Sequence, residues 1–167
     1  MPAPEPLPPE APWLSDAALG LAVGLLQSHR RWFGRPLIAC STTNPRQQAQ
    51  ELFAASTVVL AHDGDDDPRL IYANAAALRL WRRRWSALVG MPSRLTAEPV
   101  ERLARARMLS AALRQEFSSG YRGIRVDSGG RRFQIEGARL WNLPAEPGDG
   151  AETKPGQAAA FSNWSWL

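Results

Sequence analysis

Apolar and polar residues alternate on both sides of Asp127-Ser128-Gly129-Gly130. Ile124 and Val126 alternate with Arg122 and Arg125 before it, and Phe133 and Ile135 alternate with Arg132 and Gln134 after it. A period of two around such a tetrapeptide predicts a β-hairpin over residues 121–143, with the arginines mainly on its outer side. A hairpin alone is marginally stable, so further strands and a helical cover are expected from the rest of the chain.

Upstream the period lengthens to that of a helix. Between 15 and 33, Leu19, Ala22, Leu26 and Phe33 share one face, while Leu21, Leu25 and Trp32 form a second apolar stripe. Ser15 or Asp16 is expected to cap this helix and Gly34-Arg35-Pro36 to end it. A helix apolar on two sides must bury both, so Leu19, Ala22, Leu26 and Phe33 are expected to form a homodimer interface. Asn44-Pro45 opens a second helix running to about 55, with Ala49, Leu52 and Phe53 on one face. Thr57-Val58-Val59-Leu60-Ala61 reads as a buried strand, residues 62–68 as a solvated turn, and 69–73 as the returning strand. Asn74 is expected to cap a helix over 75–83 with Leu78 and Trp81 inward, followed by one helical turn at 86–89. The longest helix is expected over 97–117, with Val100, Leu103, Ala104, Met108, Ala111 and Ala112 as its inward stripe and Gly120 closing it. After the hairpin, 144–155 reads as a mobile loop, and 156–164 as a last strand whose alanines suit a crowded central position.

Composition narrows the class. The chain has 167 residues, 44% hydrophobic and 22% charged, enough for one domain over 14–167 behind a proline-rich lead-in at 1–13. Cys40 is the only cysteine, which excludes an internal disulfide and a cysteine-based metal site, and a cytoplasmic setting is expected. No apolar run reaches the roughly 20 residues that cross a bilayer, so no membrane partner is expected. Lys154 is the only lysine among 20 basic residues, against 16 acidic ones. The arginines form no long cluster, so no nucleic-acid partner is expected either.

Two strands, several helices and three further strands imply an α+β domain of PAS-like order. Its sheet is expected to be five-stranded and antiparallel, with the last strand in the middle beside the first and the helices packed on one face around a cavity. Tyr72-Ala73-Asn74-Ala75-Ala76 with Leu78 and Trp81, Pro92-Ser93-Arg94-Leu95-Thr96, Tyr121-Arg122-Gly123, Gly130-Arg131-Arg132-Phe133 and Trp141-Asn142-Leu143 together resemble the MEKHLA domain family over residues 15–164, in its stand-alone bacterial form. The hexapeptide that names the family is absent. The resemblance implies a PAS-related sensing or interaction module without catalytic residues.

Light-sensing PAS domains carry a flavin-reactive cysteine in a motif whose nearest counterpart is Gly90-Met91-Pro92-Ser93-Arg94, where Ser93 takes the cysteine's place. No cofactor is named by the sequence, and His29 and His62 are expected in structural or solvent-facing roles. Motifs for hydrolytic, phosphate-cradling or metal chemistry are missing, so a non-enzyme is expected. Glu136 near Arg125 or Arg94 is the one acid/base candidate, and a surface ion pair is its simpler reading. The leading expectation is a sensory domain that binds a small molecule and signals by association. Its pocket would be formed by Tyr72, Leu78, Trp81, Leu95, Phe133, Ile135, Trp141 and Phe161, with Arg94 or Asn142 for polar recognition. A ligand-free module that binds a signalling partner protein is the alternative.

Overall fold

The computed structural model describes residues 11–144 and 154–167. Most of the expected lead-in, and most of the expected loop at 144–155, lie outside the described residues. Six strands form one antiparallel sheet: β1 (Val58–His62), β2 (Leu70–Ala73), β3 (Phe117–Val126), β4 (Arg132–Leu143), β5 (Gly156–Phe161) and β6 (Asn163–Trp166). Their order, β2-β1-β5-β4-β3, puts β5 in the centre beside β1, as the pattern predicts. The sixth strand arises because the chain stays on β4 after Ser162. Leu143↔Gly156 through Arg139↔Ala160 and then Glu136↔Asn163 through Phe133↔Trp166 share one register.

The helices do not all lie on one face. In β1 the side chains of Val58 and Leu60 join one apolar cluster while Val59 and Ala61 join another, so both faces of the sheet are covered. On the inner face lie α3 (Ala75–Trp81), Leu88 of α4 (Trp85–Leu88) and α5 (Pro99–Arg114). Across the outer face lie α1 (Asp16–Phe33) and α2 (Pro45–Ala54). Alanines make the two-sided burial possible: Ala158 and Ala160 of β5 meet Ala22 and Leu25 of α1 on the outer side, while Ala159 packs toward the inner cluster. The α1 stripe is thus spent largely within the chain. Ala22 is 0% exposed and has no area to give a second copy, while Leu19, Leu26 and Phe33 are half-buried against the outer cluster.

Two further expectations change. The stripe Val100, Leu103, Ala104, Met108 and Ala111 of α5 faces solvent, with Val100 76% and Leu103 62% exposed. Half-buried Arg105 and Leu109 turn toward the sheet instead, and Arg102 donates to the Ala97 carbonyl. The helix ends at Arg114, and Gly120 lies inside β3 at φ 79°, where the register with β4 shifts. A left-handed residue in a strand is a bulge that glycine tolerates without steric cost, so the same glycine that reads as a helix stop lengthens the hairpin.

Asn74 joins the pieces. Its buried side chain uses all four of its hydrogen-bonding positions: Oδ1 accepts from Val59 N (3.0 Å) and Ala77 N (3.2 Å), and Nδ2 donates to the Leu52 (3.2 Å) and Thr57 (2.7 Å) carbonyls. The end of α2, the start of β1 and the first turn of α3 therefore meet on one amide. At the other end of α3 the hairpin turn supplies the cap. Ser128 N and Oγ donate to the Trp81 and Arg82 carbonyls at 3.0 and 2.8 Å. Asp127 Oδ1 holds the turn itself through Gly129 N and Arg131 N. Asn74→Ala is expected to cost on the order of 3 kcal/mol, because it removes a helix cap and orphans several buried backbone groups. Urea denaturation should show this as a lower midpoint at unchanged slope.

Candidate functional site

Between the inner face of the sheet and α5 lies a cavity with about 60 Å³ open to the centre of a water molecule. Its walls are apolar along Leu60, Leu70, Trp81, Ile135, Leu140 and Phe161, and polar where Ser93, Arg105, Tyr121 and Arg125 converge. It adjoins a wider space of about 280 Å³ toward the 63–68 turn, with His62, Ser93, Arg105, Leu109 and Gln157 common to both.

The polar end is built by three elements. Tyr121, Gly123 and Arg125 lie on one face of β3, opposite Ala138, Ile135 and Phe133 of β4. Arg125, read from the pattern as an outer residue, therefore points inward and is buried, because the inner face follows Tyr121 and not Ile124. Its Nη2 donates to Tyr121 Oη at 2.6 Å and its Nη1 to the Ile124 carbonyl at 2.9 Å. This pair lies over Gly123, where a Cβ would come within 2.6 Å of Tyr121 Oη and 2.9 Å of Arg125 Nη1. Any side chain there would push the phenol and guanidinium aside, so glycine lets the pair keep this position. From the opposite side, Arg105 of α5 donates through Nη2 to Ser93 Oγ at 2.9 Å, and Ser93 is itself buried on a 3-10 turn (Ser93–Thr96). Burial, and then the neighbouring Arg125, pull the Arg105 guanidinium down to about 10, still charged at neutral pH.

Among the described residues, two buried donors around this cavity have no acceptor: Trp81 Nε1, on a side chain 1% exposed, and Arg105 Nε. One acceptor, His62 Nε2, has no donor, because its Nδ1–H faces the Asp63 carbonyl. An unpartnered buried N–H costs free energy, so each is a point where a bound group can contribute.

Of the residues singled out in the sequence, Trp81, Ile135 and Phe161 line this cavity. Phe133 packs behind them, edge-on to Trp81 at 5.1 Å, and Leu78 is half-buried beside the same cluster. Leu95 is half-buried but does not line it, and Arg94 turns out to solvent to meet Asp67 at 3.2 Å. Tyr72 and Trp141 belong to the outer layer, and Asn142 does not line the cavity either. Trp141 Nε1 donates to Ser28 Oγ at 2.9 Å, and Trp32 Nε1 donates to the Asn142 carbonyl at 3.2 Å, so this tripeptide region grips α1. Glu136 pairs with Arg122 at 3.4 Å on the surface, not with Arg125 or Arg94. Ser93, Arg105, Tyr121 and Arg125, which form its polar end, are among the cavity residues that pattern reading does not assign to it. The close sequence spacing of Tyr121, Gly123 and Arg125 was their one visible signal.

The family model for the MEKHLA domain matches residues 20–166. The chain belongs to the MEKHLA domain family. No curated protein matches it by sequence. Among solved structures, this MEKHLA domain is similar to an RNA-binding light-oxygen-voltage receptor at TM-score 0.59 and 18% identity, over 75% of this chain and 35% of that one. A fungal LOV domain photoreceptor aligns at TM-score 0.56 and 16% identity, over 92% and 95% of the two chains. The PAS domain of a protein from Colwellia psychrerythraea aligns at TM-score 0.53 and 16% identity, over 69% and 92%. The chain thus spans about a third of the first of these proteins, and the likeness establishes a PAS/LOV-like fold. No helix among the described residues is long and apolar enough to cross a membrane, and none of their His, Cys, Asp and Glu side chains cluster as a metal site.

His29, on the buried side of α1, has a structural role. Its Nδ1 lies 3.0 Å from the Arg35 carbonyl and its Nε2 lies 2.8 Å from Arg139 Nη1, a pairing that the neutral Nδ1–H tautomer satisfies. Burial first, and then Arg139, lower its pKa from 6.5 to about 4. The unfolded chain therefore takes up this proton first as the pH falls. The contribution of His29 to stability is fully present above about 6.5 and is lost toward pH 4, by at most about 3 kcal/mol. Urea midpoints at pH 7.5 and 4.5 are expected to differ less in His29→Gln than in the wild type.

Proposed function

We propose that this MEKHLA domain is a non-catalytic sensor that takes a small molecule into the cavity between the sheet and α5. The observation that carries the reading is the mostly apolar cavity beside buried donors that lack acceptors. The MEKHLA match and the PAS/LOV-like fold support it as a sensory architecture. A ligand there touches Arg105 on the inner side of α5, while Val100, Leu103 and Met108 lie exposed on the outer side of the same helix. Occupancy that orders or shifts α5 would change what its outer face offers, which is how a ligand with different affinity for two arrangements biases a surface.

Association is the second part of the reading. Since α1 buries most of its apolar area on its own sheet, the exposed stripe of α5 is the better candidate for contact with a second copy, helix against helix about a twofold axis. Sedimentation is expected to show a dimer that Leu103→Glu with Met108→Glu converts to monomer. Leu26→Glu should instead lower stability. A wild type that sediments as a monomer, with and without ligand, removes this part.

The pocket has its own test. Native mass spectrometry of purified protein, or titration with a library of small metabolites, is expected to show one bound molecule per chain. Ala138→Leu, which places new bulk against the cavity, should abolish the adduct while the protein stays folded. A wild type that binds nothing in either experiment removes the sensor reading.

A further inference from the structure

Resting on the cavity reading above, we propose that the ligand is a small organic monoanion, a carboxylate with a short apolar tail. Its charged group would sit between Arg105 and Arg125, and its tail against Trp81, Leu140 and Phe161. Three observations carry this assignment of chemical class.

The first is charge. Arg105 and Arg125 approach one cavity from α5 and β3, and no carboxylate stands among the residues that line it. Neither arginine takes part in a salt bridge within the described residues. Their partners are neutral oxygens: Ser93 Oγ for Arg105, and Tyr121 Oη and the Ile124 carbonyl for Arg125. Asp63, Asp65 and Asp66 of the acidic 63–68 turn line the adjoining space and not this cavity. Asp63 Oδ1 accepts from Asp65 N and Arg69 N, Asp66 pairs with Lys154 and Asp67 with Arg94. Two like charges brought together in a poorly solvated space repel each other and lose hydration, and an anion between them offsets both costs.

The second observation is the kind of hydrogen-bonding capacity left over. Of the three unpartnered atoms beside the cavity, Arg105 Nε and Trp81 Nε1 are donors and His62 Nε2 is an acceptor, so most of the missing groups are acceptors. A carboxylate supplies acceptors only, and a guanidinium with a free Nε matches its planar pair of oxygens. A cation or an amine would add donors where donors are already in surplus.

The third is size and wall chemistry. A space of about 60 Å³ for water centres accommodates roughly four to six water-sized groups. That is too small for a nucleotide or a flavin within this cavity alone and fits an acid of about four to six non-hydrogen atoms. The aliphatic and aromatic walls opposite the arginines would be poorly used by inorganic phosphate, which has no apolar part to bury. Gly123 keeps the arrangement open, since a side chain there would displace the Tyr121–Arg125 pair that aims one guanidinium.

The test uses the full chain and a matched set of probes in isothermal titration calorimetry and thermal shift: butyrate, its neutral isostere butyramide, n-butylammonium and inorganic phosphate. Butyrate is expected to bind at one site per chain and to raise the melting temperature, with butyramide and phosphate at least about tenfold weaker and butylammonium without effect. Arg105→Met and Arg125→Met are each expected to weaken butyrate about tenfold or more, and Tyr121→Phe severalfold. Circular dichroism checks that each variant is folded. The comparison of acid with amide on the wild type decides the question even where a variant fails to fold. Equal binding of butyramide and butyrate, blocked by Ala138→Leu, would overturn the anion assignment and leave the cavity reading standing. Preference for phosphate would overturn the organic-acid assignment. Binding of none of the probes overturns this proposal, and if no library compound binds either, the cavity reading fails with it.

Discussion

A central strand with neighbours on both sides and small side chains on both faces obliges a protein of this size to build two covering layers. In this chain β5 is that strand. Ala158 and Ala160 lie against α1, Ala159 packs toward the inner cluster, and β1 and β4 flank it along its length. Everything else follows from which layer a residue joins. Trp141 and Trp81 are both large, fully buried indoles, yet one faces out and holds α1 through Ser28 while the other faces in and lines the cavity. In the outer layer Phe33 stacks on His29, and Trp141 lies edge-on to both. In the inner layer α5 turns Arg105 and not its apolar stripe to the sheet.

That asymmetry ties structure to function. Burying an apolar stripe is favourable and non-directional, so a helix that leaves Val100, Leu103 and Met108 in solvent gives up stabilisation that packing on its own sheet would supply. What it gains is a charged, hydrogen-bonding inner surface over a cavity. Such a helix is held by few apolar contacts, and an element of that kind is the one a ligand can shift at small cost. On the side carrying α1, Trp141 and the buried His29 fasten that helix to β4 through Ser28 and Arg139.

Much of the local structure was legible in the residues. Asn44 and Asn74 cap their helices as read, Asp127-Ser128-Gly129-Gly130 makes the hairpin turn, and the strand order follows from the sequence of elements. The MEKHLA resemblance over the same motifs agrees with the family match. Tyr72 and Trp141 fall outside the pocket for one reason. Period-two alternation says that neighbouring strand residues face opposite ways, but not which way is the cavity. Tyr72 and Trp141 join the outer layer on that account, and Arg125 points inward because the inner face follows Tyr121 and not Ile124. A bulge at Gly120 and register shifts along β3 are invisible to a pattern count, and they decide the face.

By itself, then, the sequence determined the elements, their caps and turns, and the family, because those depend on residues close together along the chain. Only the tertiary structure decided that α1 covers the sheet of its own domain, that α5 presents its stripe outward, and that Arg105 and Arg125 meet beside Ser93 and Tyr121. Each of those outcomes is a competition among surfaces for the same buried area, settled by register and packing between segments far apart in sequence.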